Sequence, residues 1–393
     1  MNATSPLRRF FELDLLDNRY PALHGMRVLG IVSVVQLHVT SIFTFEEKLP
    51  LGPSWTTMSM SIFFGMDLFF ILSGFLIGSI LIRSVETSGS QHVRRFYLRR
   101  AFRTFPAYYV VLTVLAVTSV LTVSQRHHLP FEYAYLTNYQ PIRREDLVML
   151  WGWSLALEEQ FYLTVPVLFF VLHKLRSDRI RLTLLGAFWA SAFVVRLVIY
   201  LRGHDWTPAT LYHALYFRTH TRFDTLVAGV MLAYVQERWH TPIANWLKNP
   251  LARACLATPP LLCLWVLMQP WMFGEAELLL VRVFCWGTLT SIMYFGWVLL
   301  LLNGSGGWVR HLLSLPIFRR VATLGYGVYL VHVPLCDKLI TPVARALAKN
   351  EWPMPIIWTL AVCALVVASL AVSYGIHLLV EKPSLRLRDR FAR

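Results

Sequence analysis

The chain has 393 residues, of which 56% are hydrophobic and only 15% are charged, and its mean hydropathy is +0.51. A soluble domain of this length does not need so much apolar sequence, so the composition excludes an ordinary soluble protein. The formal net charge of +15 could suit nucleic acid, but the basic residues lie in loops between apolar runs. Membrane lipids, and not nucleic acid, are therefore the expected partners.

Apolar runs of about 20 residues recur along the chain, each long enough to cross a bilayer. They predict an all-α integral membrane protein with about ten transmembrane helices. The weakest run is 211–235, because Arg222 and Asp224 are among the polar residues of its first half, part of which is expected to be a wet loop. The predicted spans are 21–44, 58–82, 104–123, 151–172, 183–201, 211–235, 254–272, 279–302, 321–340 and 356–380.

The loops predict the orientation, because cytoplasmic loops carry an excess of Lys and Arg. With the N-terminus inside, most of the basic loop residues fall on the cytoplasmic side, so both termini are expected there. The sequence thus predicts a cytoplasmic segment at 1–20, a membrane domain at 21–383 and a basic cytoplasmic tail at 384–393. The sequence does not predict a cleaved signal peptide. It predicts a multi-pass protein of the inner or plasma membrane.

The first predicted helix carries Arg27 and His38. Their offset lies about 20° from a whole number of turns, so they share one helix face, separated by about 16 Å of rise. A neutral imidazole can accept a proton from a hydroxyl near neutral pH, and a guanidinium can bind a carbonyl or phosphate. The alternative is structural: a His hydrogen-bonded between helices and an Arg reaching the inner headgroups.

The second predicted helix contains Asp67 among aromatic residues, and the small residues around Ser73 permit close helix packing. A carboxylate at membrane depth is costly, so Asp67 must pair with another group, in a structural or a catalytic role. Ser73 has no base nearby in the sequence, which favours packing and hydrogen bonding over nucleophilic catalysis.

A basic face precedes the third predicted helix, where Arg99, Arg100 and Arg103 lie within about one turn. Such a cluster either enforces topology and binds lipid phosphate or holds a donor that carries several phosphates. Pro106 stands where the predicted helix begins, so the sequence predicts a cap and not a kink.

The fourth predicted helix opens with WGWSLALEEQ and carries the adjacent Glu158 and Glu159. They point about 100° apart, so only one can face inward. An inward Glu158 could orient His38 and stabilise its protonated form; the alternative is a solvated carboxylate at a helix N-terminus. His332 in the ninth helix is expected to be a satisfied packing residue. No Cys or His spacing predicts a metal site.

These residues together resemble the acyltransferase 3 family, membrane enzymes that acylate carbohydrates, lipids and some macrolides. The resemblance rests on LHGMRVLGIVSVVQLH, GMDLFFILSGFLIG, FYLRRAFRTFPAYY, WSLALEEQFYL, RFDTLVAGVMLAY, GYGVYLVHVP and EKP, spread over 23–383. It implies that residues 21–383 form a ten-helix acyltransferase domain.

The resemblance also implies roles for individual residues. The family's essential Arg and His fall on Arg27 and His38, its Arg-x-x-Arg on Arg100 and Arg103, and its glutamate on Glu158. Arg222 and Asp224 match the sixth-helix motif. The expected reaction moves an acyl group, most simply acetyl, from acyl-CoA to a hydroxyl of a glycan, a lipid-linked sugar or a macrolide-like molecule, with His38 as general base.

Two other function classes fit a polytopic protein. A transporter or flippase for an anionic or lipid-linked solute would line its path with membrane-embedded Arg, His and Asp, but the sequence shows none of the inverted repeats that would favour it. A structural or receptor scaffold would explain the helices but not the cost of so many buried charges.

Overall fold

A computed structural model describes residues 11–60, 62, 64–87, 91–269, 276–304 and 307–391. All regular elements in these ranges are helical, so the prediction of an all-α membrane protein is confirmed. The predicted segments 1–20 and 384–393 are described only from residue 11 and as far as residue 391. The helices are α1 (Pro21–Ser41), α2 (Pro53–Met60), α3 (Gly65–Thr87), α4 (Gln91–Thr118), α5 (Val123–Tyr133), α6 (Trp153–His173), α7 (Asp178–Arg202), α8 (Pro208–Leu215), α9 (Thr219–Arg222), α10 (Asp224–Trp246), α11 (Pro250–Leu267), α12 (Ala276–Asn303), α13 (Trp308–Leu313), α14 (Pro316–Leu335), α15 (Thr341–Lys349), α16 (Met354–Ile376) and α17 (Lys382–Phe391).

Within the described residues, eight helical stretches are long and apolar enough to cross a membrane. Eight of the ten predicted spans coincide with them. The predicted spans 211–235 and 321–340 fall instead on α8 to α10 and on α14, which lie outside this set. The number of spans and the side on which each terminus lies remain predictions. The eight stretches are Pro21–Glu46, Pro53–Arg83, Val93–Thr118, Leu150–His173, Asp178–Arg202, Pro250–Leu267, Phe284–Asn303 and Met354–Phe391.

The chain divides into two compact units. In the first, α1, α14 and α16 pack against one another, and α13 packs on α1. In the second, α12 packs on α11 and α10, and α10 packs on α7. The first unit comprises Met1–Gly65, Arg94–Val114 and Trp308–Arg393; the second comprises Met66–Val93 and Leu115–Gly307.

Backbone-to-backbone packing of α3 on α10 depends on two glycines of the second unit. A Cβ added at Gly74 would lie 2.0 Å from the carbonyl oxygen of Leu226, and one at Gly229 would lie 2.3 Å from that of Ile71. Because no side chain fits, both positions require glycine. Small residues favour such close approach in membranes, where apolar burial gives no driving force between helices.

The prediction that Pro106 caps a helix was wrong, because α4 begins at Gln91 and Pro106 lies inside it. A proline within a helix has no N–H for the carbonyl four residues earlier, here that of Phe102. Ser384 of α17 supplies the missing donor, its Oγ lying 2.7 Å from the Phe102 oxygen. The basic turn of α4 and the start of the C-terminal helix are therefore joined in the first unit.

We expect Gly229→Ala to lower the thermal stability of the purified protein strongly, since its Cβ would overlap the Ile71 carbonyl unless α3 and α10 separate. The matched control is Gly375→Ala on α16, where an added Cβ meets nothing within 4 Å. There alanine should be neutral or stabilising by about 0.5 to 1 kcal/mol through helix propensity. Equal unfolding temperatures for the two variants would contradict the packing argument.

Candidate functional site

The far end of α1 is fixed by polar contacts within the first unit. The Gln36 side-chain amide donates to the backbone oxygen of Ser59 at 3.0 Å, and the Trp358 indole donates to Thr40 Oγ1 at 2.9 Å. These bonds hold the turn that carries His38 against α2 and α16. His38 itself is half-buried, as is Arg27 nearer the start of the same helix.

His38 lies against His332 of α14, a contact that the sequence did not predict. His332 Nε2 is 3.1 Å from His38 Nδ1, and the two rings meet edge to face with centroids 4.8 Å apart. His332 is fully buried. His332 is therefore a packing residue, as the sequence analysis expected, and the residue against which it packs is the candidate base His38.

Two backbone carbonyls determine which ring nitrogen of each histidine carries a proton. His332 Nδ1 is 2.7 Å from the Tyr329 oxygen, and His38 Nδ1 is 2.9 Å from the Val34 oxygen. A carbonyl only accepts, so each Nδ1 carries a proton. His332 Nε2 then presents its lone pair to the Nδ1–H of His38, and the lone pair of neutral His38 lies on Nε2. This arrangement suits proton acceptance at His38 Nε2.

The basic turn of α4 also belongs to the first unit. Arg99 is exposed, whereas Arg100 and Arg103 are half-buried. The Tyr326 hydroxyl of α14 donates to the backbone oxygen of Thr104 at 3.0 Å, which ties this turn to the helix of His332. Three guanidinium groups on one helical turn form a surface that fits a ligand with several phosphates.

A chain of buried charges runs through the second unit. Asp67 Oδ1 is 2.7 Å from Arg222 Nη2, and Asp224 Oδ2 is 2.8 Å from Arg196 Nη1. Arg222 Nη1 also lies 4.0 Å from Asp224 Oδ1. All four residues are at most 1% exposed. The two carboxylates and two guanidinium groups balance in charge, which is what buried ions require.

Neutral side chains add hydrogen bonds to this network. Trp286 Nε1 donates to Asp67 Oδ2 at 2.7 Å, and Arg196 Nη2 donates to Thr288 Oγ1 at 3.1 Å. Both carboxylates also lie in the first turn of a helix, where the helix dipole favours negative charge. A Cβ at Gly287 would lie 2.4 Å from an Asp224 oxygen, so this glycine makes room for the carboxylate.

The contacts of Asp67, Arg222 and Asp224 point to a structural role. The group that pairs with Asp67, which the sequence did not specify, is Arg222. Sequence reasoning missed Arg196, although a lone arginine in the apolar run AFVVRLVIY is itself a signal for a buried ion pair. The network joins α3, α7, α9, α10 and α12.

Ser73 and Glu158 also lie in the second unit. The Ser73 hydroxyl is 2.7 Å from the Tyr162 hydroxyl of α6, a contact of the packing and hydrogen-bonding kind that the sequence favoured. Glu158 is half-buried on the same helix. Its role toward His38 remains a prediction.

The segment between α5 and α6 is held by a buried carboxyl group outside the candidate spans. Glu132 accepts hydrogen bonds from the backbone N–H groups of Val148 and Met149, both at 2.8 Å. Burial raises the pKa of Glu132 to about 7, and the two backbone donors offset only part of this rise. The segment is therefore tied back to α5 just before α6 begins.

Comparison with known proteins adds a family. The family described as an acyltransferase domain matches residues 20–378. The peptidoglycan O-acetyltransferase OatA of Listeria monocytogenes is 27% identical over 348 residues, which cover 84% of this chain and 51% of that protein.

Two further relatives carry similar descriptions. The putative peptidoglycan O-acetyltransferase YrhL of Bacillus subtilis is 28% identical, covering 93% of this chain and 55% of its own. A putative O-acetyltransferase of Staphylococcus aureus is 27% identical over 60% of this chain and 37% of its own. The chain thus spans about half the length, or less, of these relatives. No solved structure matches it.

We expect Asp67→Asn to destabilise the protein by about 3 to 5 kcal/mol, because it leaves the buried Arg222 charge short of its nearest partner. Asp389→Asn is the control, since Asp389 is 64% exposed in its pair with Arg388 and should cost at most about 1 kcal/mol. Denaturant unfolding in detergent measures both. Adding Arg222→Met to Asp67→Asn should restore part of the loss.

A fully folded Asp67→Asn protein with wild-type stability and no catalytic activity would contradict this structural assignment. It would return Asp67 to the candidates for a chemical role.

Proposed function

Since this chain belongs to the acyltransferase domain family, we propose that it is a membrane O-acyltransferase that moves an acyl group, most simply acetyl, from acyl-CoA to a hydroxyl of a glycan. The names of the relatives support O-acetylation and a glycan acceptor. The proposed location is the cell membrane, in which the helices form a multi-pass domain.

The pairing of His38 with His332 is the observation that carries this proposal. General base catalysis needs an imidazole with a defined tautomer and a partner for the charge that develops on it. The 3.1 Å contact between His332 Nε2 and His38 Nδ1 supplies that partner. The Val34 and Tyr329 carbonyls favour the tautomers that the reaction requires.

In the proposed reaction, His38 Nε2 takes the proton of the acceptor hydroxyl as its oxygen attacks the thioester carbonyl. The new C–O bond forms, the C–S bond breaks, and the imidazolium returns the proton to the CoA thiolate. While protonated, His38 donates from Nδ1 to His332 Nε2. His332 is thus a positioning residue that orients His38 and stabilises its charged form, as the acid of a catalytic triad does.

The remaining roles follow the family resemblance. Arg99, Arg100 and Arg103 bind the phosphates of acyl-CoA, where planar guanidinium groups can each make two bonds. Arg27 positions the donor, and Glu158 stabilises protonated His38 by charge. The structure supports the first of these roles most directly, because Arg99 is exposed and its two neighbours are half-buried on one turn.

The basic turn can be tested by changing Arg100 and Arg103 to Lys together. Lysine keeps the positive charge that topology needs but loses the bidentate geometry, so the protein should insert normally and bind acyl-CoA about tenfold or more weakly. Equilibrium binding of acetyl-CoA measures this. The control changes Arg176 and Arg179, both exposed, to Lys. If the variant with Lys at positions 100 and 103 bound acetyl-CoA as tightly as the wild type, the basic turn would serve only to set the topology and to bind lipids.

We expect His38→Gln to remain folded and to bind acyl-CoA, while kcat for acyl transfer falls by at least about 100-fold, since glutamine cannot take a proton at neutral pH. The exposed His311→Gln is the control. His332→Gln keeps a carbonyl acceptor for His38 and should retain more activity than His332→Leu. Transfer is measured as acceptor-dependent release of CoA, normalised to folded protein.

Near wild-type transfer by His38→Gln would overturn the assignment of the base. The remaining candidates would then be His332, Glu158 and Asp67.

A further inference from the structure

A second cluster of polar side chains lies in the second unit, outside the candidate spans except for its base on α6. It is built from the segment after α5 and from α9. Within it, the Tyr139 hydroxyl is 3.2 Å from His220 Nδ1, and the two rings stack at 27° with centroids 5.8 Å apart. Tyr139 is 37% exposed. We call this cluster the polar platform (Asn138, Tyr139, Gln160, Thr219 and His220).

Amide hydrogen bonds fix the base of the platform. Gln160 Nε2 donates to Asn138 Oδ1 at 2.9 Å, and Asn138 Nδ2 donates to Thr219 Oγ1 at 2.8 Å. Thr219 Oγ1 in turn donates to Gln160 Oε1. This closed ring leaves the amides little freedom. The last residue of α9, Arg222, is held by its buried pair with Asp67, so the platform is anchored to the charge network.

Arg218 lies beside the platform and is half-buried. Its Nη2 is 3.4 Å from His213 Nδ1. His213 Nε2 donates to the Gln140 carbonyl at 2.7 Å, so Nδ1 of neutral His213 can only accept. Among the side chains that the structure describes, no carboxylate lies within ion-pair distance of Arg218, and its Nε is buried without a hydrogen-bond partner. The Nε atoms of Arg196 and Arg222 also have no hydrogen-bond partner, but these two guanidinium groups are each paired with a carboxylate, and that of Arg218 is not.

The exposed Tyr139 ring, stacked on the half-buried His220 and held by the rigid amide ring beneath, is a surface suited to a sugar, whose C–H face packs on an aromatic ring. An uncompensated guanidinium at the same place favours an anionic ligand, and a carboxylate matches its planar donors. We propose that the polar platform with Arg218 binds the acceptor, and that this acceptor is a saccharide carrying a carboxylate. This inference rests on the proposed function, because a bound saccharide is an acceptor only if the protein transfers an acyl group to it. The binding of the saccharide can be measured without that reaction.

The full chain in phosphatidylcholine nanodiscs provides the test, without acyl-CoA. Two acidic disaccharides serve as probes, one with a glucuronate and one with the lactyl carboxylate of N-acetylmuramic acid, each against its own methyl ester. Equilibrium dialysis should show at least one acid binding about tenfold or more tightly than its ester, the value of a charged hydrogen bond. Arg218→Gln should abolish that difference, and Arg218→Lys should keep part of it.

Arg202→Gln is the matched control, because Arg202 is exposed at the end of α7 and its loss removes the same charge. An unfolding temperature of Arg218→Gln equal to that of the wild type verifies that the variant is folded. Equal binding of both acids and their esters to the wild type, or an equal effect of Arg202→Gln, would overturn the proposal. So would loss of the Arg218-dependent binding in nanodiscs with phosphatidylglycerol, because the guanidinium would then belong to lipid phosphate.

The two proposals fail separately. Arg218-dependent binding of an acidic saccharide without any acyl transfer would preserve the platform and overturn the proposed reaction. Acyl transfer could instead be equally fast to the acidic saccharide and to its ester, and unaltered by Arg218→Gln. That result would preserve the proposed reaction and overturn the assignment of the polar platform as the acceptor site.

Discussion

Pairing of charge inside an apolar environment is the constraint on which the rest of the second unit depends. Taking a single carboxylate or guanidinium out of water costs several kcal/mol, so Asp67, Asp224, Arg196 and Arg222 are compatible with burial only together. Their contacts require α3, α7, α9, α10 and α12 to meet in one arrangement. The glycines at 74, 229 and 287 allow the approach that these short bonds demand.

The first unit meets the same constraint with neutral groups. His332 is fully buried, and its two ring nitrogens face the Tyr329 carbonyl and His38. A buried imidazole that is satisfied in this way needs no counter-ion and can stay neutral. The same contacts that make it tolerable in the interior also orient the ring of His38. One chain of hydrogen bonds therefore both satisfies the buried His332 and orients His38 for its proposed role as general base.

Much of this could be predicted from residue types and their periodicity. The apolar runs predicted an all-α membrane protein, and the motifs spread along the chain predicted the acyltransferase family, which its match over 20–378 confirms. Helix ends were predicted less well: α4 extends back to Gln91 and through Pro106. A proline inside a helix is acceptable only if another donor satisfies the freed carbonyl, and that donor, Ser384, lies 282 positions away in the chain.

The sequence by itself determined which groups are costly in a bilayer, because hydropathy and charge are properties of each residue and its near neighbours. It therefore identified His38, Asp67 and Arg222 as groups that need an explanation. Only the tertiary structure decided their partners: Arg222 for Asp67, Arg196 for Asp224, and His332 for His38. Hydrogen bonds and ion pairs act over about 3 Å between residues far apart in the chain, and helical periodicity gives the face of a residue but not the helix that packs against it.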